Sequence, residues 1–332
     1  MKQRLAWIDF LRGLAVLGMI ETHAVNSFLA PIFRSGTAFE CLSYLHGTVA
    51  PTFLFIAGFL QGTSLERHPH APFLPRLRHL GSILLLGYAL QYPWNSALDP
   101  AAVIVALGKI DILQCIAVAT ALLLLSRNLP RARLFLATAV ILAAPLVWNS
   151  TENFPFPPIL GYLNGRHGAL FPLFPWAGFL FAGAVFSRCR ERSLAAAGLC
   201  TAAIGWTARF ALADWLNLQT YATRYDAVLF RLSTVLLLCA SAAFFLRNNP
   251  TGVALRAIDW CGSRSLLLYV FHLILLHSGL GFLPPLRDLF PATQNPMEVA
   301  WLFALTLTGS IALTFAWQWL VGTVAAWRMD QR

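Results

Sequence analysis

Long apolar runs, separated by short polar segments, occupy almost all of the 332-residue chain. A helix needs about 20 consecutive apolar residues to cross the hydrocarbon core of a bilayer. Ten segments reach or approach this length, namely 7–30, 43–64, 79–98, 104–126, 133–149, 169–187, 194–215, 228–246, 258–279 and 298–327. The pattern therefore predicts an all-α fold: a polytopic membrane helix bundle of about ten transmembrane helices in a single domain over residues 1–332.

The composition agrees with a membrane environment. Hydrophobic residues make up 58% of the chain and charged residues 11%, whereas a soluble domain typically carries about 25% charged residues. The first apolar run is longer than that of a signal peptide, so we expect it to be a retained span. The six cysteines show no CxxC or metal-like spacing, and we expect neither a disulfide framework nor a metal site.

The positive charge of the chain bears on its orientation. In a soluble protein, a net charge of +10 would indicate nucleic-acid binding. Here, most of the 24 Lys and Arg residues fall in the alternate loops that lie on the same side as the N-terminus. The positive-inside rule then predicts that both termini are cytoplasmic, and we expect no nucleic-acid partner.

Four ionisable residues interrupt the first apolar run: Asp9, Arg12, Glu21 and His23. Arg12 and His23 are eleven residues apart, about 16 Å along a helix, and project from nearly one face. Asp9 precedes Arg12 by three residues, a spacing at which side chains pair across one turn. Glu21 falls on roughly the opposite face from Arg12, so we expect it to serve a different neighbour.

Each of these charges has a functional and a structural interpretation. An ionisable residue inside a membrane helix is costly unless it faces protein or water, which makes it a candidate for function. Arg12 can instead reach the cytoplasmic headgroups while it pairs with Asp9. His23 can be a hydrogen-bonded group between helices with no chemistry. The residues alone leave both alternatives open.

Polar residues in later spans have the same two interpretations. His46, at the outer end of the second span, is either an interfacial histidine or a second active-site group. Asp111 and Gln114 are three residues apart, on one predicted helical face, where they contact either a ligand or another helix. Tyr269 and His272 lie one turn apart in the ninth span, as a structural pair or as support for a site.

Two prolines, Pro172 and Pro175, interrupt the stretch FPLFPWAGFLFAGA and predict a helix that is broken at membrane depth. Such breaks are tolerated where they line a cavity. Trp176 follows the second proline and is a candidate for substrate binding or site support.

Five stretches, taken together, resemble a known superfamily. IDFLRGLAVLGMIETHA resembles the opening of the integral-membrane acyltransferases, whose first helix carries Asp-x-x-Arg-Gly and, in many members, an Arg-x10-His spacing, which Arg12 and His23 match. APTFLFIAGF, LQCIAV, FPLFPWAGFLFAGA and GSRSLLLYVFH resemble further blocks of one bacterial branch, similar to the catalytic part of heparan-α-glucosaminide N-acetyltransferase. The resemblance runs over nearly the whole chain in the same order.

The resemblance implies transfer of an acyl group, usually acetyl, from cytosolic acyl-CoA to a sugar acceptor on the far side of the membrane. In the better-known transferase branch, the catalytic histidine lies beyond the first helix, beside an Asn-Gly motif. This chain lacks that His-x-x-Trp-Asn-Gly pattern. The catalytic role therefore falls either to His23, as in the acyltransferase type 3 branch, or to His46.

The phosphates of CoA require cations, which Arg12, Arg76 and Arg78 are expected to supply while Asp9 holds Arg12. The catalytic histidine acts as a general base on the acceptor or as a carrier that is itself acylated. The residues expected to bind substrate or support the site are Asp111, Gln114, Trp176, Tyr269 and His272.

Two other classes of protein fit parts of the pattern. A transporter or flippase for a small anionic or lipid-linked substrate also needs intramembrane charges and broken spans, although the sequence shows no paired inverted halves. If the chain is instead a membrane scaffold protein, Arg12 and His23 are expected to matter for folding alone. We expect location in the cell inner (plasma) membrane. The expected partners are the lipid bilayer, acyl-CoA and a glycan or small-molecule acceptor, and a homodimer is a further candidate.

Overall fold

The computed structural model describes residues 6–92, 98–128, 130–151, 156–165, 168–248, 252–280 and 284–330. Within these ranges the regular elements are helices, with one isolated β-bridge between Leu29 and Gln294. The predicted all-α fold is therefore confirmed for the described part of the chain. The end of the predicted third span, 93–97, lies outside the described residues.

Fifteen α-helices follow one another along the described chain. Their bounds are α1 Ala6–Phe28, α2 Thr37–Arg67, α3 Phe73–Gln91, α4 Pro100–Gly108, α5 Ile112–Leu125, α6 Pro130–Ser150, α7 Pro157–Leu163, α8 Leu173–Val185, α9 Glu191–Ala211, α10 Ala213–Asn217, α11 Tyr225–Phe245, α12 Val253–Ser263, α13 Ser265–Leu273, α14 Leu286–Leu289 and α15 Pro296–Asp330. A 3₁₀ turn, Pro31–Phe33, follows α1, and a π-helical turn, Ile274–Ser278, directly continues α13.

Five of the described helices are long and apolar enough to cross a membrane: α2, α6, α9, α11 and α15. Two bent pairs, α4 with α5 and α12 with α13, raise this number to seven if each pair is one span. These helices fit a multi-pass membrane protein. The remaining predicted spans coincide with α1, α3 and α8. The count of ten and the cytoplasmic location of both termini stay predictions.

The break between α4 and α5 changes the role of Asp111. The two helix axes meet at an angle of 61°, and Asp111 lies in the break with extended backbone dihedral angles. Its Oδ1 accepts a hydrogen bond from the N–H of Ile112 at 2.7 Å, which caps α5. Asp111 is thus the N-cap of α5 rather than a residue within a continuous span, and its Oδ2 accepts a hydrogen bond from Nε2 of Gln91 in α3 at 3.1 Å, which is contact with another helix.

The chain forms two compact units. The first unit is Met1–Val49 with Leu246–Arg332, and the second unit is Ala50–Phe245. In the first unit, the C-terminal end of α1 packs against the π-helical turn and α15. The buried residues of this cluster are Ala24, Val25, Phe28, Leu29, Leu276, Val299 and Leu302.

Two glycines let α1 and α12 approach closely within the first unit. A Cβ atom added at Gly13 would overlap the carbonyl oxygen of Ile258, and one added at Gly262 would overlap the carbonyl oxygen of Asp9. Small residues permit such backbone contacts between membrane helices. The crossing brings the start of α13 beside the charged residues of α1.

The second unit contains a similar crossing between α2 and α8. A Cβ atom at Gly58 would overlap the carbonyl oxygen of Leu180, and one at Gly183 would overlap that of Phe55. Gly58 and Gly183 therefore let α2 and α8 pack backbone to backbone. Just before this contact, α8 begins after Pro172, and Phe174 departs from helical dihedral angles. The predicted break at the two prolines is present.

Candidate active site

Arg12 in α1 contacts one predicted and one unpredicted neighbour in the first unit. Its Nη1 lies 3.7 Å from Asp9 Oδ1, which is the predicted ion pair. Its Nη2 donates a hydrogen bond to Ser265 Oγ at 2.8 Å. Ser265 is the first residue of α13 and is buried, while 29% of the Arg12 side chain remains exposed. The guanidinium is thus held in place with part of its surface accessible.

Three histidines meet at the other end of α1. The ring centroid of His23 lies 5.1 Å from that of His272 and 5.9 Å from that of His277. Arg12 and His23 therefore both face the helix formed by α13 and the π-helical turn, as their eleven-residue spacing predicts. His272 is fully buried, and Tyr269 packs edge-on against it with centroids 5.6 Å apart.

The π-helical turn explains why His277 joins this cluster. In an α-helix, residues five apart point in directions that differ by about 140°, and the wider turn of a π-helix, with its i→i+5 hydrogen bonds, reduces this difference. The N–H of Gly279 donates such a bond to the carbonyl oxygen of Ile274 at 2.7 Å. With α-helical spacing, His277 points away from His272, so it was not predicted as a site residue.

The hydrogen bond of His272 determines its tautomer. Its Nδ1 lies 3.0 Å from the carbonyl oxygen of Leu268, and a carbonyl oxygen only accepts, so the proton is assigned to Nδ1. The Nε2 atom then carries a lone pair. It is buried and has no hydrogen-bond partner in the described part of the chain.

Glu21 and His46 form a second polar pair on a different side of α1. The Nε2 atom of His46 contacts Glu21 Oε2 directly, and both side chains are largely buried. Residues two apart on a helix do not share a face, so Glu21 and His23 direct their contacts to separate neighbours. The expectation that Glu21 serves another neighbour is met, and His46 lies inside α2, near the start of the predicted second span.

The remaining predicted site residues belong to the second unit. Arg76 in α3 is half-buried and donates from Nη2 to Ser64 Oγ at 3.3 Å, whereas Arg78 is exposed. Trp176 in α8 packs against Phe171, with ring centroids 5.0 Å apart. Their roles stay predictions.

Gln114 occupies an unusual position in α5. The side chain is fully buried, and both amide atoms lack a hydrogen-bond partner in the described part of the chain. It packs against the backbone of Gly87 in α3. A buried amide without a partner costs about 1 to 3 kcal/mol.

We expect Gln114→Met to raise the melting temperature of the detergent-solubilised protein. Methionine has a similar volume and removes the unpartnered amide, so about 1 to 3 kcal/mol of desolvation cost is relieved. Differential scanning fluorimetry measures the change. Gln114→Glu serves as the opposite control, because it places a charge at the same site. A lower melting temperature for Gln114→Met would contradict this expectation.

The imidazole cluster, which consists of His23, His272 and His277, does not have the arrangement of a metal site. Over the described ranges, no group of three or more His, Cys, Asp or Glu side chains is placed to hold a metal ion. What the first unit offers instead is an accessible arginine at one end of α1, and a carboxylate–histidine pair and a histidine cluster at the other.

Comparison with known families agrees with the motifs. A family model described as heparan-alpha-glucosaminide N-acetyltransferase, catalytic, matches residues 4–219, more than half of the chain. Among curated proteins, none matches the chain. The matched range contains Arg12, Glu21, His23 and His46. The α13 stretch that carries Ser265 and His272 lies beyond it.

Proposed function

The chain belongs to the family of the heparan-alpha-glucosaminide N-acetyltransferase catalytic region, and from this premise we propose that it moves an acyl group, normally acetyl, from cytosolic acyl-CoA to a sugar or similar acceptor on the non-cytoplasmic side. The contact between Glu21 and His46 is the observation that carries the proposal. The proposal includes about ten spans of the inner membrane with both termini in the cytoplasm.

The proposed general base is His46. In this proposal the Glu21 carboxylate accepts the hydrogen bond, so the Nε2 atom of His46 that contacts it is assigned the proton. The lone pair is then on Nδ1, which is the nitrogen assigned to take a proton from the acceptor. A carboxylate that orients a histidine and stabilises its protonated form is a recurring arrangement in acyl transfer.

The proposed step balances as a direct transfer. Nδ1 of His46 takes the proton of an acceptor hydroxyl or amine while the acceptor oxygen or nitrogen bonds to the thioester carbonyl carbon. The carbon–sulfur bond then breaks, and the CoA thiolate takes up the proton that the imidazolium held. Acyl-acceptor and CoA are the products, and His46 returns to its neutral form.

His23 is the second candidate for the catalytic histidine. It keeps the Arg-x10-His spacing and lies in the imidazole cluster, but no carboxylate contacts it in the described part of the chain. An imidazole without a carboxylate is suited to the carrier route, in which the histidine is acylated first and CoA leaves before the acceptor reacts.

Arg12 is the proposed contact for the CoA phosphates. Asp9 and Ser265 hold the guanidinium while part of it stays exposed, and a planar guanidinium binds phosphate oxygens through two parallel hydrogen bonds. Arg76 and Arg78 are proposed as further cations for the donor. Acyl-CoA is a substrate in this scheme, and no metal takes part in it.

The same ligand distinguishes the proposal from its rival, a transporter or flippase for a small anionic or lipid-linked substrate. An acyltransferase binds acetyl-CoA and releases CoA when an acceptor is added, whereas a transporter moves its substrate unchanged. Titration of the purified protein with micromolar acetyl-CoA, followed by a thiol assay for CoA release, tests the point. Absence of both binding and release would remove the acyltransferase proposal.

We expect Arg12→Gln to weaken acetyl-CoA binding by about 10- to 100-fold, the value of one or two charge-assisted hydrogen bonds. Arg12→Lys keeps the charge but loses the planar fork, so its loss is smaller. Isothermal titration in detergent measures both. Arg190→Gln removes the same charge from an exposed position and is expected to bind as the wild type does. Equal affinity for the wild type and Arg12→Gln would exclude Arg12 as the phosphate contact.

A further inference from the structure

A second arginine of interest lies in the second unit, in a helix that meets the criteria for a membrane span. The Cζ atom of Arg231 in α11 lies over the ring of Tyr221, 4.8 Å from its centroid, and 6.0 Å from the ring centroid of Trp176. Trp176 lies in α8, and Tyr221 lies in the turn that precedes α11. Two separate segments therefore place aromatic rings beside a guanidinium that a third segment carries.

The charges around Tyr221 do not balance. The Cζ atom of Arg224 lies 5.8 Å from the centroid of the same ring. The Nη2 atom of Arg224 forms an ion pair with Asp226 Oδ2 at 2.7 Å. Arg209 pairs with the same carboxylate at 3.0 Å. Arg231 makes no ion pair in the described part of the chain, and its buried Nε has no hydrogen-bond partner there. One carboxylate thus faces two arginines, and the third is left without an anion.

Aromatic stacking alone does not compensate this charge. A cation–π contact contributes about 0.5 to 2 kcal/mol, but it leaves the N–H donors of the guanidinium without acceptors. An arginine inside a membrane helix is costly unless it meets an anion, a carbonyl group or water. The Arg231 side chain is only half-buried, so an oxyanion from outside the chain can reach it.

The neighbouring rings indicate the kind of molecule that carries the anion. Tyr221 is exposed and Trp176 is half-buried, so both present ring surface beside the guanidinium. Aromatic faces accept the apolar face of a sugar ring, and Tyr and Trp add a polar group at the edge. In the predicted topology, the start of α11 lies on the non-cytoplasmic side, where the acceptor is expected.

We propose that Arg231, Tyr221 and Trp176 form a binding site for a sugar-type ligand that carries a phosphate or carboxylate group. The oxyanion binds the guanidinium, and the sugar ring packs against the aromatic faces. Identification of this ligand as the acceptor rests on the proposed function, whereas the oxyanion site itself does not. The site adds a substrate class, an acidic or phosphorylated sugar, to the reaction proposed above.

The experiment measures binding without acyl-CoA. The purified chain in phosphatidylcholine nanodiscs is titrated with glucose 6-phosphate or with glucose, and the melting temperature is followed. We expect a saturable increase with glucose 6-phosphate, none with glucose, and at least 10-fold weaker binding by Arg231→Gln. Arg190→Gln, which loses the same charge at an exposed position of the second unit, is expected to behave as the wild type does.

Two variants keep the test decisive if Arg231→Gln folds poorly. Arg231→Lys keeps the charge and is expected to bind with intermediate affinity. Tyr221→Ser removes the exposed ring that holds the guanidinium and is expected to weaken binding several-fold. An unchanged glucose 6-phosphate response in these variants would overturn the proposal.

A parallel experiment with an anionic lipid distinguishes a lipid headgroup from a sugar phosphate as the source of the phosphate group. If phosphatidylglycerol nanodiscs give an Arg231-dependent increase in melting temperature and glucose 6-phosphate gives none, the anion is a lipid headgroup and the sugar site is refuted. Arg231-dependent sugar phosphate binding in a chain that neither binds acetyl-CoA nor releases CoA would instead refute only the acyl-transfer proposal.

Discussion

His46→Ala is expected to lower kcat for acyl transfer by about 100- to 10,000-fold, the range that a positioned general base contributes. The affinity for acetyl-CoA should change little, because Arg12 rather than His46 is proposed to hold the CoA phosphates. Steady-state kinetics with a thiol assay measures kcat, and titration measures the affinity. A loss that is confined to kcat distinguishes a chemical role from a general loss of structure.

Glu21→Gln tests whether the carboxylate of Glu21 supports His46 in catalysis. Glutamine is nearly isosteric with glutamate, but it does not stabilise the imidazolium that forms when His46 takes up a proton. We therefore expect a loss in kcat of about 10- to 100-fold, smaller than that of His46→Ala. In the double variant the losses should not add, because both residues act as one unit. Additive losses would mean that the two side chains act independently.

Two further histidine variants serve as controls. His70→Ala changes an exposed loop histidine of the second unit and should turn over normally. His23→Ala should retain measurable turnover if His46 is the base. If His46→Ala turns over normally and His23→Ala is inactive with acetyl-CoA binding intact, the carrier route through His23 replaces the proposal.

Hydropathy predicted the helical fold well because an apolar run of sufficient length has few alternatives to a membrane helix. Each predicted span coincides with a described helix or a bent pair of helices. The pattern of charges within the first span also predicted the Asp9–Arg12 pair, since both residues lie on one helix at a fixed spacing. Local periodicity is reliable where both partners belong to the same helix.

Contacts between different helices could not be predicted from the sequence. The spacing in α1 indicated that Glu21 needs a different neighbour from Arg12, but the identity of His46 as that neighbour depends on how α1 meets the start of α2 within the first unit. Ser265 was missed for the same reason. In the sequence, Ser265 lies inside the predicted ninth span, and only the crossing of α1 and α12 brings its hydroxyl to Arg12.

Departures from α-helical geometry account for the other errors. Asp111 was placed inside a helix, yet it caps α5 at a 61° bend. His277 was overlooked, yet the π-helical turn brings it to His23. Both departures lie beside polar groups of membrane helices. The apolar period reveals neither departure, because it assumes a regular helix.

The largest structural effect is expected at Gly262, where α12 crosses α1. A Cβ atom at this position would overlap the backbone of Asp9 and lie 2.8 Å from the nitrogen of Gly13. A flexible side chain could move away, but backbone on both sides cannot. We expect Gly262→Ala to destabilise the protein by about 3 kcal/mol, the upper part of the range for overpacking, even though alanine itself favours a helix.

Gly81→Ala is the matched control. A Cβ atom at Gly81 in α3 meets nothing within 4 Å, so the substitution should raise stability by up to about 1 kcal/mol through helix propensity alone. Thermal melting and size-exclusion chromatography of both variants measure the opposite signs. The displacement at Gly262 also moves Ser265 away from Arg12, so surviving Gly262→Ala protein should bind acetyl-CoA more weakly. A melting temperature equal to that of the wild type would mean that α1 and α12 are not locked together at this glycine.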